Sequence, residues 1–190
     1  QPYGLASDSS GNIYVADSAN NRIRKIDSNG TVTTIAGSGS AGTTDGMGTS
    51  ASFNRPIGIA VDNSGNVYVS DQTGDKIRRI DPSGYVTTLA GTGIQGSSNQ
   101  GASSTFNSPS GLVLDSSNNL YVADLHNHLI RKISIPPEHS QVALTLYNLD
   151  DDTNATVTLA SSDTGEGTVS PATLTFTGNN WNTAQTVTVT

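Results

Sequence analysis

One segment of this chain returns twice, and that repetition limits the possible folds more than any other feature of its 190 residues. The run PYGLASDSSGNIYVADSANNRIRKIDSNGTVTTIAG begins at Pro2. It returns from Pro56 as PIGIAVDNSGNVYVSDQTGDKIRRIDPSGYVTTLAG, and again from Pro109 as PSGLVLDSSNNLYVADLHNHLIRKIS. The offsets are 54 and 53 residues, a period typical of arrays whose units cannot bury their apolar faces alone. Within a unit, GIAVD and NVYVSD alternate apolar and polar residues around a turn at Asn63-Ser64-Gly65. KIRRID, the turn Asp81-Pro82-Ser83-Gly84 and YVTTLAG then form a hairpin. Four meandering antiparallel strands per unit describe the blade of a β-propeller.

These units resemble NHL repeats, a propeller family named for an Asn-His-Leu triplet. Asn127-His128-Leu129 stands in the third unit, and we align it with Asn21-Arg22-Ile23 and Asp75-Lys76-Ile77. The resemblance covers residues 2–134 and implies a ring of roughly six blades. This chain supplies only three, at 2–37, 56–91 and 109–134, and the third stops before its VTTIAG-like strand. Two blade faces are therefore expected to lie bare, and bare apolar sheet faces and unpaired edges are adhesive.

Ile135-Pro136-Pro137 reads as a linker, because proline stiffens the chain and removes backbone donors. Charge changes there. Residues 1–134 hold nine basic and ten acidic residues, a net of −1, whereas 135–190 hold six acidic and no basic ones, a net of −6. Segment 138–190 offers four Thr-rich strands, and the run from Val169 resembles the closing half of Calx-beta or immunoglobulin-like bacterial surface repeats. The expected fold is thus all-β: a partial NHL-type propeller, its third blade incomplete, followed by a partial antiparallel β-sandwich.

Composition narrows function. Charged residues make up 13%, about half the usual ~25%, and 25 Ser with 24 Thr take their place. The absence of Cys excludes disulfides and thiolate chemistry. A net charge of −7 argues against a nucleic-acid partner, as does the lack of aromatics among the basic strips at Arg22–Lys25, Arg78-Arg79 and Arg131-Lys132. No apolar run approaches the ~18 residues of a membrane span. The chain opens on Gln1-Pro2 and its single Met is Met47, so we expect either a processed leader or a piece of a longer protein.

The loops 38–55 and 92–108 far exceed the usual ~4–6-residue connection. In a blade they share a face with the loop between the second and third strands. Asp45, Phe53, Phe106, His126 and His128 are therefore expected on one rim, the default binding surface. Phe53-Asn54 and Phe106-Asn107 also suit a plainer role, anchoring each loop between blades. Asp124, His126 and His128 have metal-ligand character, but the other units lack His there, so no metal or cofactor is expected. The recurring acids at 8, 62 and 115, and at 17, 71 and 124, read as turn acceptors or Arg partners rather than a cation-binding ring. Asn29 and Asn154 lie in glycosylation sequons. The resemblance of the tail to Calx-beta modules raises calcium at Asp150–Asp152, but three consecutive acids without matching partners read rather as a solvated turn.

No nucleophile elbow, acid–base pair or phosphate-cradling loop is present. We expect a non-enzymatic structural or adhesive protein, secreted or on the cell surface. Its partners would be further copies of itself, as in a fibre built through unfinished blades or donated strands, or other surface proteins and glycans. The alternative is a ligand- or glycan-binding propeller that is part of a longer surface protein.

Overall fold

Aspartate starts each turn by turning its carboxylate on the chain ahead. Asp8 accepts the amides of Ser10 and Asn12 at 2.9 Å, the Asn12 side chain at 2.7 Å and the Tyr14 hydroxyl at 3.2 Å. Asp62 and Asp115 repeat the pattern with Asn66 and Tyr68, and with Asn119 and Tyr121. Such side-chain acceptors fix the reversal and deliver the next residues into a strand. Gly11 and Gly65, at φ of 80° and 86°, supply the left-handed step that the reversal requires.

The computed structural model describes residues 1–135 and, beyond them, 141–144, 155–158, 169–170, 173–176 and 185–189. The chain divides into two compact units, Gln1–Ile135 and Pro136–Thr190. In the first, strands β1 (Pro2–Ser7), β2 (Ile13–Asp17), β3 (Arg22–Ile26) and β4 (Val32–Ala36) form one antiparallel meander. The second sheet contains β5 (Gly46–Met47), β6 (Pro56–Val61), β7 (Val67–Asp71), β8 (Lys76–Ile80) and β9 (Tyr85–Ala90), ordered β5-β9-β8-β7-β6. The third has β10 (Pro109–Leu114), β11 (Asn119–Asp124) and β12 (Leu129–Ser134). Among the described residues the third blade thus ends on β12, with no strand paired to its outer edge.

The fifth strand of the middle blade comes from the long loop. Gly46 and Met47 of β5 pair with Val86 and Tyr85 of β9, so residues 38–55 cap the edge of the blade that follows them. A one-turn 3-10 segment links the second and third strands of the first and third blades, at Ser18–Asn20 and Leu125–Asn127, and a turn at 72–75 takes its place in the middle blade. Asn21, Asp75 and His128 end these connections in the left-handed region, at φ of 50°, 52° and 55°. This corrects the alignment of the triplet by one position. Asn127-His128-Leu129 corresponds to Asn20-Asn21-Arg22 and Gly74-Asp75-Lys76, since Leu129 pairs with Asp124 as Arg22 does with Asp17 and Lys76 with Asp71.

Blades stack through their first strands, with β6 against both β1 and β10. Glycine permits this approach. A Cβ on Gly4 would strike the Ile57 carbonyl oxygen, and one on Gly58 the Ser110 carbonyl oxygen. Ser70 completes the seam: its hydroxyl accepts the Gly58 amide at 2.7 Å and donates to the Ser110 carbonyl at 2.5 Å. Two apolar clusters fill the inter-blade spaces. One joins Ile23 and Ala36 to Val69, Ile80 and Val86, and the other joins Ile77 and Ala90 to Leu120 and Val122. Phe53 lies in the first cluster and Phe106 in the second.

In the second unit, β13 (Gln141–Leu144) and β15 (Val169–Ser170) flank β17 (Gln185–Val189), while β14 (Ala155–Thr158) pairs with β16 (Thr173–Phe176). All pairings are antiparallel. Asn154 and Asp150–Asp152 lie outside the described residues.

Candidate functional site

The polar constellation of the first unit forms where each long loop meets the blade it precedes. Arg78 on β8 is the largest fully buried side chain of the unit. One of its guanidinium nitrogens donates to Asp71 Oδ2 at 3.1 Å and to the Ser52 carbonyl at 3.0 Å. The other donates to the Thr44 carbonyl at 3.0 Å and to Asp45 Oδ1 at 2.6 Å. The Phe53 ring lies 5.1 Å from the guanidinium carbon, and the Asn54 amide donates to Asp71 at 2.6 Å. Asp45 also accepts from the Thr88 amide and hydroxyl, each at 3.0 Å.

The third blade repeats the arrangement. Arg131 binds Asp124 at 2.9 Å and the carbonyls of Thr105 and Ser98 at 3.0 and 2.7 Å. Phe106 lies 4.8 Å from its guanidinium carbon, and the Asn107 amide donates to Asp124 at 2.8 Å. No acid takes the place of Asp45 in loop 92–108. Buried arginine suits this task, because a planar fork of five donors satisfies several carbonyls and a carboxylate at once.

The residues expected on one rim therefore have different fates. Phe53 and Phe106 are fully buried wedges between blades, not ligand-facing aromatics. Asp45 is half-exposed and tied to Arg78 and Thr88. His126 and His128 are exposed at the 3-10 turn of the third blade. The His126 amide donates to the Asn107 carbonyl, and the Asn127 side chain donates to the Gly96 carbonyl, which brings the loop and turn together within that blade. Asn29 is exposed in the β3–β4 turn, its amide bound by Asp27. Among the described residues, no three His, Asp or Glu side chains are grouped to hold a metal. Asp71 and Asp124 do pair with Arg78 and Arg131, as expected of the recurring acids, while the burial of both arginines under the long loops was not foreseen from the sequence, although it carries a signal there. Its signal is a Phe-Asn pair whose Phe stands 25 residues before the arginine in both blades.

Asp8, Asp62 and Asp115 bind turn amides, and Asp71 and Asp124 bind arginines. Asp8 and Asp115 are held below the ordinary carboxylate value, first by the side-chain amides of Asn12 and Asn119, and Asp27 first by the Thr31 amide. A carboxyl lowered in the fold adds stability above its unfolded value near 4 and loses it as pH falls further. Burial pushes Asp71 the other way, to about 6, against the Asn54 amide and Arg78. Its contribution is full below pH ~4 and is lost as pH rises through about 6. Melting temperature should accordingly rise between pH 2.5 and 4 and flatten or dip between 4 and 6. In the double variant Asp8→Asn/Asp115→Asn the acid limb should be shallower. A scan in which acid leaves the melting temperature of the parent chain unchanged would contradict this.

Residues 1–26 and 106–133 match the NHL repeat family, and residues 40–105 match the teneurin NHL domain. A 144-residue stretch is 32% identical to the SUPPRESSOR OF QUENCHING 1 protein of Arabidopsis thaliana, covering 70% of this chain and 14% of that protein. NHL repeat-containing protein 2 of Bos taurus is 36% identical over 152 residues, covering 71% of this chain and 21% of that one. A solved structural genomics protein of unknown function from Bacteroides thetaiotaomicron superposes with a TM-score of 0.63 at 30% identity, covering 69% of this chain and 34% of that one. The chain spans about a fifth or less of the length of these curated relatives. It carries NHL repeats arranged as successive blades of a β-propeller.

Proposed function

We propose that this NHL-repeat chain is a non-enzymatic structural and adhesive module whose uncovered blade faces bind further blades of the same kind, those of a second copy. One comparison carries the reading. Ile77 in the middle blade is fully buried, whereas its repeat equivalent Ile130 in the third is 73% exposed. The first blade mirrors this on the opposite side, where Leu5 is 67% exposed and its equivalent Ile59 is 6%. The same side chains that form the core between blades thus face solvent at both ends of the stack. Val113 adds to the third-blade face. Contiguous apolar surface of this kind favours association.

Light scattering across a concentration series tests this. The chain is expected to associate, and Ile130→Asp to weaken association at least tenfold by burying a carboxylate without a partner. A parent chain that stays monomeric throughout would overturn the proposal. Placement outside the cell belongs to the same proposal, supported by the Cys-free, Ser/Thr-rich composition. Recovery of the protein solely from the cytoplasmic fraction of its host would contradict it.

A further inference from the structure

We propose that Asn29-Gly30, at the tip of the β3–β4 turn, is a site of spontaneous covalent modification, where the Asn29 side chain deamidates through a cyclic imide to aspartate and isoaspartate. The inference concerns a turn inside the first blade and does not rest on how blades associate.

The reaction needs an Asn or Asp whose successor has no side chain to crowd ring closure. Asn29-Gly30 is the chain's only Asn-Gly pair and Asp45-Gly46 its only Asp-Gly pair. The fold treats the two oppositely. Both carboxylate oxygens of Asp45 are engaged, Oδ1 by Arg78 at 2.6 Å and the Thr88 hydroxyl at 3.0 Å, and Oδ2 by the Thr88 amide at 3.0 Å. Gly46 follows in β5, paired with Val86. Closing a ring there means breaking the Arg78 constellation. Residues 28–31, by contrast, are all exposed, and the Asn29 side chain has no hydrogen-bond partner among the described residues.

The chemistry needs only water and hydroxide. Hydroxide takes the Gly30 amide proton, and the nitrogen attacks Asn29 Cγ. As that bond forms, the side-chain nitrogen leaves as ammonia, with a proton from water. Water then opens the imide. Opening at Cγ gives aspartate in an ordinary backbone, whereas opening at the main-chain carbonyl gives isoaspartate, with one more methylene in the main chain. The turn itself is the brake. The Gly30 amide donates to the Asp27 carbonyl at 2.9 Å, and Asp27 Oδ1 takes the amides of Asn29 at 2.9 Å and Thr31 at 2.8 Å. Ring closure therefore proceeds from molecules whose turn has opened locally, which at an exposed tip takes far less free energy than unfolding. Isoaspartate moves the Thr31 amide away from Asp27, and either product removes the acceptor nitrogen of the Asn29-Gly30-Thr31 sequon.

The whole chain is incubated at mildly alkaline pH in buffer and, in parallel, in urea. It is then mapped by mass spectrometry with electron-transfer fragmentation, which distinguishes isoaspartate from aspartate. In buffer the mass gain of an amide-to-acid conversion is expected at Asn29 ahead of every other Asn in residues 1–135, with Asp45 unchanged. In urea isoaspartate should appear at Asp45 as well. Asp27→Ala, a change confined to the turn, should speed the conversion of Asn29 severalfold in buffer and leave its rate in urea unaltered. Asn29 that converts in urea but not in buffer would overturn the proposal. So would Asp45 that isomerises equally in both, or an Asp27→Ala chain that converts Asn29 no faster than the parent.

Discussion

Arg78→Met is expected to remove about 3–5 kcal/mol of the first unit's stability at pH 7, the range seen when one member of a buried ion pair is lost. Methionine keeps the apolar stem of arginine and drops the guanidinium, so the loss is that of its charge and hydrogen bonds together with the small space the guanidinium leaves. Five groups lose their donor together: Asp71, which is fully buried, Asp45, the carbonyls of Ser52 and Thr44, and the face of Phe53. Each buried acceptor left without a partner costs ~1–3 kcal/mol, and relaxation of the loop toward water recovers part of that. Set against a typical total of ~5–15 kcal/mol, the melting temperature should fall by more than 10 °C. Arg24→Met, the same change at the same repeat position, should cost less than ~1 kcal/mol because Arg24 is partly exposed and its partner is a hydroxyl. Thermal unfolding of the two variants side by side decides the matter, and equal losses would show that the buried constellation contributes little.

Gly58→Ala and Gly111→Ala form the second pair. Both replace the glycine two residues after the proline that opens a blade. At Gly58 the new methyl meets the Ser110 carbonyl oxygen, Ser70 Oγ at 2.7 Å and the Leu112 amide nitrogen at 3.1 Å. Two of these are backbone atoms of the neighbouring blade and cannot rotate aside. Either the seam between β6 and β10 opens or the Ser70–Ser110 hydrogen bond breaks, and we expect a loss of ~3 kcal/mol or more. At Gly111 the methyl meets nothing closer than Ala123 Cβ at 3.9 Å. Alanine there should be neutral or stabilising by up to ~1 kcal/mol, through the smaller entropy of the unfolded chain. If a further blade covers that face, Gly111→Ala should weaken association while leaving the isolated chain intact. Chemical denaturation of both variants tests the contrast, and similar losses would refute it.

Much of this architecture is legible in the order of residues. Period-two alternation places the strands, Asp-x-x-Gly-Asn and Asp-x-x-Gly place the turns, and the break after Ile133 leaves the third blade one strand short. These are local features, each decided by a few adjacent residues and the turn chemistry of aspartate and glycine. The anchoring role of Phe53 and Phe106 was visible as one of two readings, and burial favours it. Less legible was the one-residue register of Asn127-His128-Leu129. It depends on which residue takes the left-handed step, and Asn21, Asp75 and His128 differ in identity there.

The sequence by itself determined the repeat units at 2–37, 56–91 and 109–134, where their turns fall, and that the third departs from the pattern after Ile133, because those properties arise within a unit and repeat with it. Only the tertiary structure decided what the long loops and the arginines do. Whether Asp45 faces solvent or locks Arg78, and whether a repeated glycine is indispensable at 58 yet free at 111, depends on contacts between units. Three near-identical segments acquire different energetics from their neighbours: the middle blade is covered on both faces, and each outer blade on one.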